Sequence, residues 1–151
     1  MERFELVIGG KSSDVISMKE LSYFLSNFQS AYELAYKYAY NSYQEPNIDG
    51  FRDAISSKRL NALGMDRGKI QQLDFSSIST NSPLKFIGYC TGISMLALSL
   101  AVAIAGGDAD LNNRKFKVNS LADAGIRIYE TISNKPENDG PKRKIKPKRR
   151  M

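Results

Sequence analysis

The sequence predicts an α+β fold, and three observations carry that expectation. Short segments with period-two alternation sit at the start and in the middle of the chain. Between them lie segments with helical spacing and recognisable caps. Turn residues separate the two kinds. At 151 residues the chain has the length of one domain with a sizeable core.

Residues 3–9 open the chain as a strand, with Phe4, Leu6 and Ile8 alternating against Arg3, Glu5 and Val7. Gly9-Gly10-Lys11-Ser12-Ser13 reads as a turn. Ser17-Met18-Lys19-Glu20 is a capping box, with Ser17 as N-cap and Glu20 three residues on. Leu21, Phe24, Leu25, Phe28, Ala31, Leu34, Ala35 and Tyr38 then recur at helical spacing, so a long amphipathic helix runs to about Tyr43. A connector with Pro46 follows. Asn47 or Asp49 can cap a second helix through Phe51, Ala54, Ile55, Leu60 and Leu63, stopped by Gly64. Ile70–Ser79 and Leu84–Cys90 flank Asn81-Ser82-Pro83 as two strands of a hairpin. Phe116 and Val118 mark a short strand. Ser120 opens a last helix that carries Leu121, Ala124, Ile128 and Ile132 on one face. The expected order is β-α-α-β-β-α-β-α. Residues 1–135 form the domain, and 136–151 form a flexible tail with Pro136, Gly140, Pro141 and Pro147.

Between Lys85 and Asp108 the chain carries no charge for 22 residues, 86–107. Its centre is almost wholly apolar, so two readings compete for a helix at 91–107. One is a membrane segment, since an uncharged apolar run of this length is the usual signal of a span. Ala97, Ala101 and Ala105 would then suit close helix packing in lipid. The other is a core helix buried on all sides. Phe86–Cys90 reads better as the hairpin strand, which leaves a helix short for a bilayer. No Trp or nearby aromatic belt follows it, and the flanking charge is nearly balanced. The core helix is preferred.

Net charge is +6 and is unevenly placed. Lys142, Arg143, Lys144, Lys146, Lys148, Arg149 and Arg150 put seven cations in residues 142–150, with no acid. The rest of the chain holds fifteen basic and sixteen acidic side chains, so the body stands at −1. Such a tail attracts polyanions by counterion release. It suits DNA or RNA, an anionic leaflet, or a nuclear-import signal; an unbound solubilising tail is the plain reading. These seven residues are the candidate nucleic-acid contacts.

Catalytic chemistry finds little to work with. The chain has no His, which removes the commonest general base and metal ligand. A single cysteine, Cys90, leaves no internal disulfide and no cysteine cluster for zinc, and fits a reducing, intracellular and cytoplasmic setting. Without His, Cys90 has no partner for a catalytic pair. Gly9-Gly10-Lys11-Ser12 lacks the first glycine of a P-loop, because Glu5 stands in its place. Asp108 and Asp110 share a loop without the further ligands of a calcium motif. No enzyme activity, cofactor or metal is expected. Tyr36, Tyr40 and Tyr43 share a face of the first long helix, distinct from its main apolar stripe. Tyrosine is favoured at half-buried contacts, so this face is the candidate oligomer or partner interface.

Overall fold

A computed structural model describes residues 2–9, 17–42, 45–58, 60, 69–79 and 84–133. Within them a five-stranded mixed sheet carries four helices, the α+β architecture that the alternation and capping patterns imply. The elements are β1 (Glu2–Ile8), α1 (Met18–Tyr40), α2 (Ile48–Ser56), β2 (Asp74–Ser79), β3 (Leu84–Cys90), α3 (Gly92–Ile104), β4 (Asp108–Asp110), β5 (Lys115–Val118) and α4 (Leu121–Ser133). The sheet order is β2-β3-β1-β5-β4. β1 lies at the centre, antiparallel to β3 and parallel to β5.

The alternation in β1 sets the two faces of the sheet. Phe4, Leu6 and Ile8 turn into the core, joined by Leu84, Phe86 and Cys90 of β3 and by Phe116 and Val118 of β5. Arg3, Glu5, Val7, Lys85, Ile87, Tyr89, Lys115 and Lys117 alternate with them on the other face, exposed or half-buried. Gly88 belongs to the inner row. A Cβ there would lie 2.8 Å from the Phe4 ring and 2.3 Å from the Asp74 carbonyl, so only glycine lets β2, β3 and the ring approach this closely.

Ser17 caps α1 as its sequence implies, accepting from the backbone N–H groups of Lys19 at 3.2 Å and Glu20 at 3.4 Å. The helix ends at Tyr40, with Asn41 as C-cap, three residues before Tyr43. Asn47 caps α2 by accepting from the Gly50 N–H at 2.8 Å. α2 stops at Ser56, well before Gly64, because Lys58 takes a left-handed φ of 60° just past the C-cap and closes the last turn. Gly64 and Leu63 lie outside the described residues, as does the Asn81-Ser82-Pro83 turn. β2 begins at Asp74 rather than Ile70, although Ile70 is buried.

The uncharged run resolves into β3, Thr91 and α3. α3 has 13 residues, roughly 20 Å at 1.5 Å per residue, against about 30 Å of bilayer hydrocarbon. Among the described residues no helix is long and apolar enough to cross a membrane. α3 is instead the central core helix, packed against α1, α2, α4, β4 and β5. Ser94, Met95, Ala97, Leu98, Leu100, Ala101, Val102 and Ile104 are all buried. The small residues that would suit helix packing in lipid here let neighbouring helices approach closely. The helix ends in a Schellman turn. Gly106 takes φ 82° and donates to the Ala103 carbonyl at 3.0 Å, and Gly107 donates to that of Val102 at 2.9 Å. Beyond this turn the structure adds β4, a strand absent from the expected order. Its Asp-Ala-Asp sequence disfavours a strand, and pairing with β5 imposes one.

Candidate functional site

The basic residues Lys142, Arg143, Lys144, Lys146, Lys148, Arg149 and Arg150 lie outside the described residues. The last described residue, Ser133, ends α4, so the chain runs on toward the tail from that end of the helix. On the open face of the sheet Arg3 reaches Glu5 at 3.3 Å, and Lys85 lies 3.9 Å from the same carboxylate. Lys117 stands opposite Asp108, and Lys115 opposite Asp110, across the β4–β5 ladder. Cations and carboxylates alternate there, with Tyr89 partly exposed among them. Such pairs contribute little to stability, but they cancel the field a polyanion would feel.

The tyrosine face divides. Tyr32, Tyr36 and Tyr40 form a ladder along α1, with ring centroids 6.1 and 6.3 Å apart. Tyr32 and Tyr36 are buried in the chain's own core, whereas Tyr40 is 55% exposed. Tyr43 lies outside the described residues. Of the three residues expected at a contact, Tyr40 is the exposed one described.

The Asp110 carboxylate of β4 is engaged locally. Asp110 accepts from the Asn113 side chain at 2.8 Å and its backbone N–H at 3.2 Å. Those bonds, with smaller contributions from Asn112 and Lys115, hold its carboxyl below the ordinary range. Among the described residues no group of three or more His, Cys, Asp or Glu side chains could hold a metal. Cys90 is fully buried beside Met95, with the sulfurs 3.9 Å apart. Burial, with a smaller effect of Glu2, pushes its thiol up from 9.0 to about 11, so it remains an unreactive thiol at neutral pH.

Two groupings come together only in three dimensions. The first is a buried polar junction. The Tyr32 hydroxyl of α1 donates to the Gln71 carbonyl and lies 3.0 Å from Ser94 Oγ of α3. Ser94, fully buried, donates to Gln71 Oε1 at 3.1 Å, and Thr91 Oγ1 donates to the same oxygen at 2.5 Å. Thr91 is the N-cap of α3 but makes no side-chain cap bond, because its hydroxyl is turned to Gln71. Burial raises the Tyr32 phenol well above its ordinary range, so it stays protonated and acts as a donor. The junction ties the segment before β2 to α1 and α3. The one sequence cue is Ser94, a hydroxyl inside an apolar helix.

The second grouping lies beside it. A cleft of about 380 Å³ opens between α1 and the segment leading into β2, lined by Leu6, Leu25, Phe28, Tyr32, Leu73 and Phe75 with Gln29 and Gln72. Its walls are mostly apolar. Both amides are occupied, each donating to Glu33 Oε2, at 3.5 Å from Gln29 and 3.3 Å from Gln72. A second, more polar hollow of about 450 Å³ lies between α2, α4 and the end of α3 and includes Arg52, Arg127 and Glu130. Arg127 is bonded to Asp123 at 2.9 Å and passes beside Gly106 at the α3 C-terminus, where a cation complements the helix dipole.

Compared with known protein families, curated proteins and solved structures, the chain matches none.

Proposed function

We propose that this chain is a non-enzymatic binding protein, an oligomeric α+β scaffold whose basic C-terminal tail contacts nucleic acid inside the cell. The observation that carries the reading is the partition of charge. Seven cations stand in residues 142–150, while the remaining chain is −1. The balanced open face of the sheet supports it, since it leaves the tail as the cationic element. Contact through phosphates needs no preformed site. It also carries little sequence information, so the scaffold supplies spacing and valency rather than base readout.

The test is titration of DNA and RNA with the full chain and with a chain lacking 141–151, at two salt concentrations. A tail contacting six or seven phosphates gives a slope of about −6 in log affinity against log salt. That is a loss of roughly 10³–10⁴-fold between 50 and 200 mM. Deletion is expected to abolish the salt-sensitive binding, and binding unchanged by the deletion overturns the reading. Anionic vesicles form the parallel arm. Binding to vesicles without binding to DNA or RNA moves the tail from nucleic acid to a membrane surface.

A further inference from the structure

Two features of β2 have no role in the fold as described. β2 is a terminal strand of the sheet, and its outer edge pairs with no described strand. Ile78 pairs with the buried Phe86 in the ladder, so it lies on the helix side, yet it is 55% exposed. Phe75 lies on the same side, packed edge-on to Phe4 at 6.1 Å and against Phe86 at 4.9 Å, and forms one wall of the apolar cleft. An exposed isoleucine and the Phe75 wall of an apolar cleft thus share one face of a strand whose outer edge pairs with no described strand.

We propose that β2 pairs antiparallel with β2 of a second copy of this chain, joining two sheets edge to edge. The proposal rests on the oligomeric part of the function above and not on its tail. The strand's own sequence, Asp-Phe-Ser-Ser-Ile-Ser, argues for a second copy as the occupant. A two-fold axis between Ser76 and Ser77 sets Phe75 against the second copy's Ile78, and Asp74 against its Ser79. Opposed residues in an antiparallel pair share a face. In a regular strand residues 75 and 78 would point to opposite faces. Here the ladder is irregular between Phe75 and Ser77, and Ser76 turns its hydroxyl to the Ile87 carbonyl at 3.2 Å. This bulge brings Phe75 and Ile78 to the same side. Each Ile78 then covers the other copy's Phe75 at the mouth of its cleft. Asp74, the strand's one charge, meets a serine rather than its own copy. A slip of one residue either way sets Phe75 against a residue of the opposite face. The arrangement is isologous and closes on itself, as a two-fold interface must.

The experiment is size-exclusion with light scattering on the full chain, over a range of concentrations and in high salt so that tail contacts are screened. Ile78→Lys, Tyr40→Lys and Ser77→Cys are compared with the parent. The expected result is a parent dimer, loss of the dimer in Ile78→Lys alone, and a disulfide-linked dimer of Ser77→Cys under mild oxidation. Circular dichroism checks that Ile78→Lys is folded; if it is not, the cross-link decides. A parent dimer that survives Ile78→Lys and leaves Ser77→Cys unlinked overturns this interface while keeping the oligomer. A parent that is monomeric at every concentration overturns both.

Discussion

The two edges of the sheet are finished in opposite ways. β4 is three residues long and begins and ends in aspartate, Asp108 and Asp110, and its partner β5 lies against α3, the most buried of the described helices. β2 is twice that length and nearly uncharged, leaves Ile78 exposed, and lends Phe75 to the wall of an apolar cleft. Natural sheets guard a free edge by shortness, charge or bulges. β4 uses the first two. β2 has only the bulge, and that bulge gathers its apolar residues on one side. Among the described residues, then, the β4 edge is short and charged, whereas the β2 edge is longer and more apolar.

The largest test of that asymmetry is a pair of truncations. Leu98→Ala on α3 removes a fully buried side chain and is expected to cost about 2–5 kcal/mol in urea unfolding. Ile78→Ala on β2 is expected to change monomer stability by no more than about 0.5 kcal/mol. Equal costs would mean that the two sides are packed alike.

A smaller effect sharpens the seam between them. Tyr32→Phe leaves the Gln71 carbonyl without its phenol donor and removes a neighbour of Ser94. It is expected to destabilise by about 1–3 kcal/mol. Amide exchange should quicken in β2 and the segment before it more than in β5. Uniform quickening would place the junction in the global core instead.

The smallest effect is on pH. Cys90 and Tyr32 both hold their protons more tightly when folded. The unfolded chain therefore binds fewer protons once pH passes the ordinary thiol value of 9.0, and stability falls as pH rises toward and beyond about 11. Melting temperature should be flat with respect to these groups below pH 9. Cys90→Ala should remove the earlier part of the alkaline loss, and a profile unchanged by it would show that Tyr32 alone carries the effect.

Much of the architecture is legible along the chain. β3 falls at Leu84–Cys90 and Ser17 caps α1, because period-two alternation and capping chemistry are local. The Gly106-Gly107 stop is local for the same reason, since a Schellman turn needs a left-handed residue. β4 is not legible, because pairing with β5 outweighs the poor strand propensity of two aspartates. Nor is the burial of Tyr36. Helical spacing puts Tyr36 and Tyr40 on one face, but only the packed neighbours decide where along that face burial stops.

By itself, the sequence determined the fold class, the caps and the seven-cation tail, because propensity, periodicity and formal charge need no partner. The tertiary structure alone decided that the apolar run is a 13-residue core helix enclosed by α1, α2, α4, β4 and β5. It alone set the strand order, the Tyr32–Ser94–Gln71 junction and the common side of Phe75 and Ile78. Those depend on residues far apart in the chain meeting in space, and a linear pattern does not encode which of them meet.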